Sequence, residues 1–161
     1  MTFQRLIHAT WESIPKSVKP IPYFLIRLMV GCVFLSEGIQ KFLFPDSLGV
    51  GRFIKIGILA PEVMAPFVGV VEIVCGCLVL IGLFTQLAAI SLIINMLVAI
   101  STTKIPILIE RGFWVMAHES RTDWSMLLGS IFLFLVGAGR WSLDTLLLRR
   151  RKERHQLGSQ D

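Results

Sequence analysis

The sequence predicts an all-α protein: a transmembrane four-helix bundle with two half-apolar outer loops and a basic, cytoplasmic C-terminal helix. Three observations predict it. The chain is 54% hydrophobic and 17% charged, with a mean hydropathy of +0.71, whereas a soluble domain carries roughly 25% charged residues. Four apolar stretches, at about 23–43, 63–83, 86–104 and 123–139, approach the ~20 residues a helix needs to cross a bilayer. The polar residues inside those stretches recur at steps of three and four, which places them on single helical faces. The expected division is a cytoplasmic arm (1–22), one membrane domain (23–147) and a basic cytoplasmic tail (148–161).

Residues 1–22 are broken by Pro15, Pro20 and Pro22 and hold no continuous apolar core, so no cleavable leader is expected. Phe3, Leu6, Ile7 and Trp11 fit a short interfacial helix. The first span carries Arg27, Gly31, Phe34, Gly38 and Lys41 on one face, with Glu37 beside it, and Pro45 stops it. Residues 44–62 form a loop too long for a tight hairpin and too apolar to float in water, which predicts a short helix lying at the membrane surface or dipping back into the bundle. The second span aligns Ala65, Gly69, Glu72, Gly76 and Val79. Small residues of this kind let helix backbones approach closely in lipid. The turn from Gly82 to Gln86 forces the second and third spans to be antiparallel neighbours. The third span places Ala88, Ser91, Asn95 and Ala99 on one face, and Lys104 and Pro106 are expected to end it. Residues 105–122 form a second half-apolar loop, with Phe113 and Trp114 suited to an interface. After the fourth span, Ser142 is placed to cap a new helix.

The net charge of +5 is uneven, with six Lys and Arg between Arg140 and Arg154. Outside the spans, nine basic residues fall on the arm, the short turn and the tail, against five on the two long loops. That bias predicts both termini in the cytoplasm, with the tail along anionic lipid, and not a nucleic-acid partner.

A charge near the bilayer centre costs roughly 2.5–3.5 kcal/mol on insertion scales, so Arg27, Glu37, Lys41 and Glu72 need partners. At about 1.5 Å per residue, Glu37 lies about 6 Å outward of the first span's middle, Lys41 about 12 Å, and Glu72 within about 2 Å of its own span's middle. Asn95 falls near the same level. These depths predict a polar cluster of Glu37, Lys41, Glu72 and Asn95 that opens toward the outer loops. Two readings of it stand. In one, Glu37–Lys41 is a pair that sets helix register and Glu72 bonds across the bundle. In the other, the cluster is a ligand-binding site, with Glu37, Lys41 and Glu72 as candidates for any chemistry there. Arg27 is expected to pair with Asp144 near Arg140, tying the chain's end to the first helix, the alternative being a snorkel to lipid phosphate.

Other chemistry is thinly represented. His118, Glu119, Arg121 and Asp123 cluster in the second loop, but one histidine with two carboxylates is a poor metal set, and none is expected. No pair of intramembrane histidines is available for haem, and no nucleotide loop or catalytic triad is evident. Cys32, Cys75 and Cys77 lie inside spans and read as packing residues, not as a disulfide framework. Small residues such as Gly129 and Ala89, read as lying on outward faces, allow a homodimer.

The run Arg27-x3-Gly31-x2-Phe34-x2-Glu37-Gly38-x-Gln40-Lys41-Phe42 resembles the first helix of the DoxX family. Gly69-x2-Glu72-x3-Gly76-x5-Gly82-x2-Thr85-x2-Ala88 resembles its second helix and turn. Gly137-Ala138-Gly139-Arg140-x-Ser142-Leu143-Asp144 is similar to its C-terminal signature. The resemblance covers about 23–147. It implies a four-helix protein of the bacterial inner membrane. Its relatives include the DoxD-type small subunit of a thiosulfate:quinone oxidoreductase and members of oxidoreductase complexes that resist oxidative stress. It implies membrane lipid and a soluble or membrane oxidoreductase subunit as partners, with quinone from the lipid phase as the cofactor. It transfers no agreed catalytic residue. Its alternatives are a non-enzymatic assembly or scaffold subunit and a carrier of a small lipophilic or acidic molecule.

Overall fold

The computed structural model describes residues 20–139 and 141–147, and all its regular structure there is helical. In chain order the helices are α1 (Ile21–Leu43), α2 (Val50–Lys55), α3 (Pro61–Ile81), α4 (Thr85–Arg111), α5 (Phe113–Glu119) and α6 (Arg121–Val136). α1, α3 and α4 are long and apolar enough to cross a membrane. α6 is also apolar but has 16 residues, or about 24 Å of rise against a hydrocarbon core of about 30 Å. The expected interfacial helix at Phe3–Trp11, Arg140 and the tail 148–161 lie outside the described residues.

Each boundary has a local cause. α1 begins beside Pro22, whose fixed φ suits a first turn, and it ends at Leu43, with Pro45 two residues beyond. α2 is the short helix expected in the first loop. α3 ends at Gly82, whose φ of +69° is the left-handed closing conformation that glycine adopts most easily. α4 corrects the expectation that the third span ends at Lys104 and Pro106, because the helix runs on to Arg111 with Pro106 inside it. Proline at 106 removes the bond to the Thr102 carbonyl, and helices in lipid tolerate such an interruption. One turn earlier the two threonine hydroxyls bond back within the helix, Thr102 Oγ1 donating to the Val98 carbonyl at 2.8 Å and Thr103 Oγ1 to the Ala99 carbonyl at 2.7 Å. The second loop is accordingly mostly helix: the end of α4, then α5, then the first turn of α6.

α1 and α3 are antiparallel and meet through glycine. A Cβ on Gly38 would lie 2.7 Å from the Gly69 carbonyl oxygen, and one on Gly76 would lie 2.9 Å from the Leu35 nitrogen and 3.0 Å from the Gly31 oxygen. The two pairs are seven residues apart on each helix, so one seam of backbone-to-backbone contact runs along both. α4 turns back beside α3, and α6 packs along α4. The tightest packing sits toward the end that carries the Gly82 turn, where Val30, Val79, Ala88, Ala89, Leu92 and Leu133 are at most 1% exposed. Outer faces remain apolar, including Phe67, Val74, Leu87, Ile94 and Leu128, as lipid-facing surfaces require. Gly129 and Ala89 are buried, not outward as read from the sequence: a Cβ on Gly129 would meet Val30 at 2.7 Å, and Ala89 is 0% exposed.

Candidate functional site

Away from the Gly82 turn, α1, α3, α4 and α6 enclose a cavity of about 430 Å³. Val33, Phe34, Val68, Met96 and Met126 form much of its apolar wall, and α2 and the residue after it add Phe53 and Ile56. Two polar groups of residues line it.

The inner group is centred on Glu72, which is 4% exposed. Lys41 Nζ donates to Glu72 Oε2 at 2.5 Å, and Asn95 Nδ2 donates to Oε1 at 2.6 Å. Three helices therefore contribute one side chain each. A carboxylate withdrawn from water costs several kcal/mol unless it is paired and hydrogen-bonded, and both Glu72 oxygens have such partners. The α1–α3 glycine seam is what brings Lys41 to Glu72, since it removes the side chains that would hold the helices apart. Glu37 lines the same cavity with an exposed side chain. The sequence reading offered Lys41 to Glu37, four residues earlier. In the structure its ammonium crosses to the other helix instead.

The outer group comes from α4, α5 and α6. Lys104 Nζ lies 3.0 Å from Asp123 Oδ2 and donates to the Glu119 carbonyl at 3.1 Å. Lys104, Glu119 and Asp123 all line the cavity, as does Arg52 from α2. Sequence reasoning placed Lys104 at a helix end and missed its role, because the continuation of α4 past Pro106 was not anticipated. The cluster around His118 resolves into separate pairs: Glu119 with Arg111 at 3.0 Å, Asp123 with Lys104, and His118 Nδ1 at 3.4 Å from Arg121. Among the described residues no group of His, Cys, Asp and Glu could hold a metal. Cys75 is buried, and Cys32 and Cys77 are exposed.

The other buried charge, Arg27, is 2% exposed and lies at the opposite end. It does not form the direct ion pair with Asp144 that its position predicts. Its guanidinium donates to four carbonyls: Val79 (2.9 Å) and Leu80 (2.6 Å) in the last turn of α3, and Ala138 (3.3 Å) and Trp141 (2.5 Å) after α6. Helix C-termini leave carbonyls unsatisfied, and a five-donor cation is well matched to them. Asp144 works on the other side of the same turn. Its carboxylate accepts the Phe84 N–H at 3.0 Å and the Thr85 N–H at 3.4 Å, capping α4 from a distant segment, while its own N–H donates to the Gly82 carbonyl at 3.0 Å. Ser142 Oγ accepts the Thr145 N–H at 3.3 Å, the cap expected of it. Any Cβ on Gly82 would lie 2.6 Å from both the Arg27 guanidinium and the Ser142 side chain. The three segments quoted from the sequence thus converge on one turn.

The long apolar helices, the glycine seam and the intramembrane ion pair define a multi-pass membrane protein with a polar interior. The chain belongs to the DoxX family, whose model matches residues 23–105. It is 54% identical over 147 residues to "Uncharacterized membrane protein Rv3486" of Mycobacterium tuberculosis, covering 88% of this chain and 90% of the relative. It is 28% identical over 128 residues to "Putative oxidoreductase CatD" of Bacillus subtilis, covering 80% and 88% respectively. It is 31% identical over 134 residues to an uncharacterized protein of Haemophilus influenzae, covering 80% and 94%. No solved structure matches the chain.

Proposed function

We propose that this protein is a small integral subunit of a membrane oxidoreductase system, quinone- or sulfur-linked, and that its cavity receives the head of a lipophilic molecule such as a quinone. One observation carries the reading: Lys41, Glu72 and Asn95 converge on a cavity of about 430 Å³ with largely apolar walls. Binding sites for small molecules are commonly about 300–1,000 Å³, mostly apolar, with a few fixed polar groups. The relative named as an oxidoreductase in Bacillus subtilis supports the same direction. In this reading Lys41 and Asn95 orient a ring substituent, and the walls exclude water from it. Electrons come from a partner subunit. The protein has four spans, α6 being the fourth, with both termini on the cytoplasmic face of a bacterial inner membrane.

The test is titration of the purified full chain in detergent with decylubiquinone, followed by quenching of tryptophan fluorescence. Saturable binding is expected, weakened about tenfold or more in Glu72→Gln, which removes the charge that holds Lys41. Absence of saturable binding, or equal binding by the variant, sinks the proposal. A scaffold role is the second reading, favoured by the bonding of both Glu72 oxygens within the protein. It predicts that Glu72→Gln lowers stability in a protein that binds no quinone.

A further inference from the structure

Four carboxylates line the cavity: Glu37, Glu72, Glu119 and Asp123. Three have cations. Glu72 has Lys41, Asp123 has Lys104, and Glu119 has Arg111. Glu37 has no ion pair and no side-chain hydrogen bond among the described residues, although Lys41 is one helical turn away. The ammonium that would have answered it is held by Glu72 on α3 at 2.5 Å. Arg52, the remaining cation of the lining, is exposed on α2 and forms no ion pair with Glu37 among the described residues. Among the described residues, the cavity therefore presents one carboxylate whose acceptor capacity is unused.

We propose that Glu37 determines which ligand the cavity accepts, and that it selects a lipophilic molecule presenting a hydroxyl hydrogen, the reduced quinol in preference to the oxidised quinone. This rests on the quinone-binding reading above. An ionised carboxylate only accepts hydrogen bonds, and an oxidised quinone offers only carbonyl acceptors, so the two repel. A quinol hydroxyl donates to Glu37 while its oxygen accepts from Lys41, which keeps N–H donors beyond the one given to Glu72. The reduced head satisfies both residues at once, whereas the oxidised head leaves Glu37 facing a like dipole. Retention of the quinol in the cavity, and departure of the quinone to the lipid phase, are then governed by the redox state of the ligand itself.

Anaerobic equilibrium binding of duroquinol, its dimethyl ether and duroquinone to the detergent-solubilised full chain tests this. Duroquinol is expected to bind about tenfold or more tighter than either of the others, as for a hydrogen bond to a charged acceptor. Glu37→Gln, whose amide both donates and accepts, is expected to bring duroquinol and duroquinone within about twofold, with the unfolding temperature unchanged, and Glu37→Asp is expected to retain the preference. Equal affinity of the three probes in the wild-type protein overturns the role of Glu37 and leaves quinone binding standing. Failure of all three to bind overturns both proposals. Displacement of bound duroquinol by dodecylamine at lower concentration than by duroquinol itself overturns the assignment to a quinol, since the donor selected would be an ammonium.

Discussion

At the scale of single residues the protein handles two interior cations, the buried Arg27 and the half-buried Lys41, in different ways. Lys41 is paired to one carboxylate, and its cost is set by that partner. Glu72→Leu is expected to destabilise the protein by about 3–5 kcal/mol, because it leaves an ammonium largely withdrawn from water without its partner. Adding Lys41→Met is expected to recover most of that loss, which chemical unfolding in detergent will measure. A double variant as unstable as the single one would show that the pair is not the coupled unit described. Arg27 has no carboxylate to lose. Its four acceptors are main-chain carbonyls from two segments, so Arg27→Ala leaves several orphaned groups and should cost about 3 kcal/mol or more. Arg27→Lys is expected to rescue only part of this, since an ammonium lacks the planar fork that spans both segments.

At the scale of helices, the contact between α1 and α3 depends on the absence of side chains. Gly38→Ala drives a methyl group toward the Gly69 carbonyl, a backbone atom that cannot swing aside. A loss of about 1–3 kcal/mol is expected, together with weaker probe binding, because Lys41 and Glu72 are brought together by the same seam. Gly129→Ala meets the tip of the Val30 side chain, which can shift, so its effect should be smaller. Similar losses in both variants would argue against close backbone approach as the reason for the α1–α3 glycines. The start of α4 makes a second case, since its cap arrives from Asp144, about sixty positions away in the chain. Asp144→Ala is expected to cost about 0.5–2 kcal/mol, the usual worth of a helix N-cap.

At the scale of the whole molecule, the two ends of the bundle differ. Around the Gly82 turn, Arg27, Ser142 and Asp144 lock three segments together over a tightly packed core. Toward α2 and α5, the helices part around the cavity. The proposed four spans require both termini on one side of the membrane, which makes α6 a crossing helix despite its 16 residues. Single cysteines introduced at Ser13 and Ser159 in a background lacking Cys32, Cys75 and Cys77 should both resist a membrane-impermeant maleimide in intact cells and react after lysis. Labelling of one of the two from outside would leave three crossings and move α6 to the interface.

Much of this was legible in the chain before any coordinates. Residue spacing placed Glu72 and Asn95 on inward faces, and the depth of each in its span brought them to one level, where they meet. The partner of Lys41 was not legible, because four residues along one helix and a crossing to the next are equally short for a flexible stem. The Arg27 contacts were not legible for a stronger reason: their acceptors are backbone carbonyls, which every residue possesses. The extension of α4 through Pro106 was hidden as well, since proline ends helices in water but is carried by helices in lipid. By itself the sequence determined that the chain lies in a membrane, that its spans are helical and that their polar stripes turn inward, because hydropathy and helical periodicity are local properties. Only the tertiary structure decided which charges meet and which carboxylate is left without a partner among the described residues, because those depend on how closely glycine allows two helices to approach.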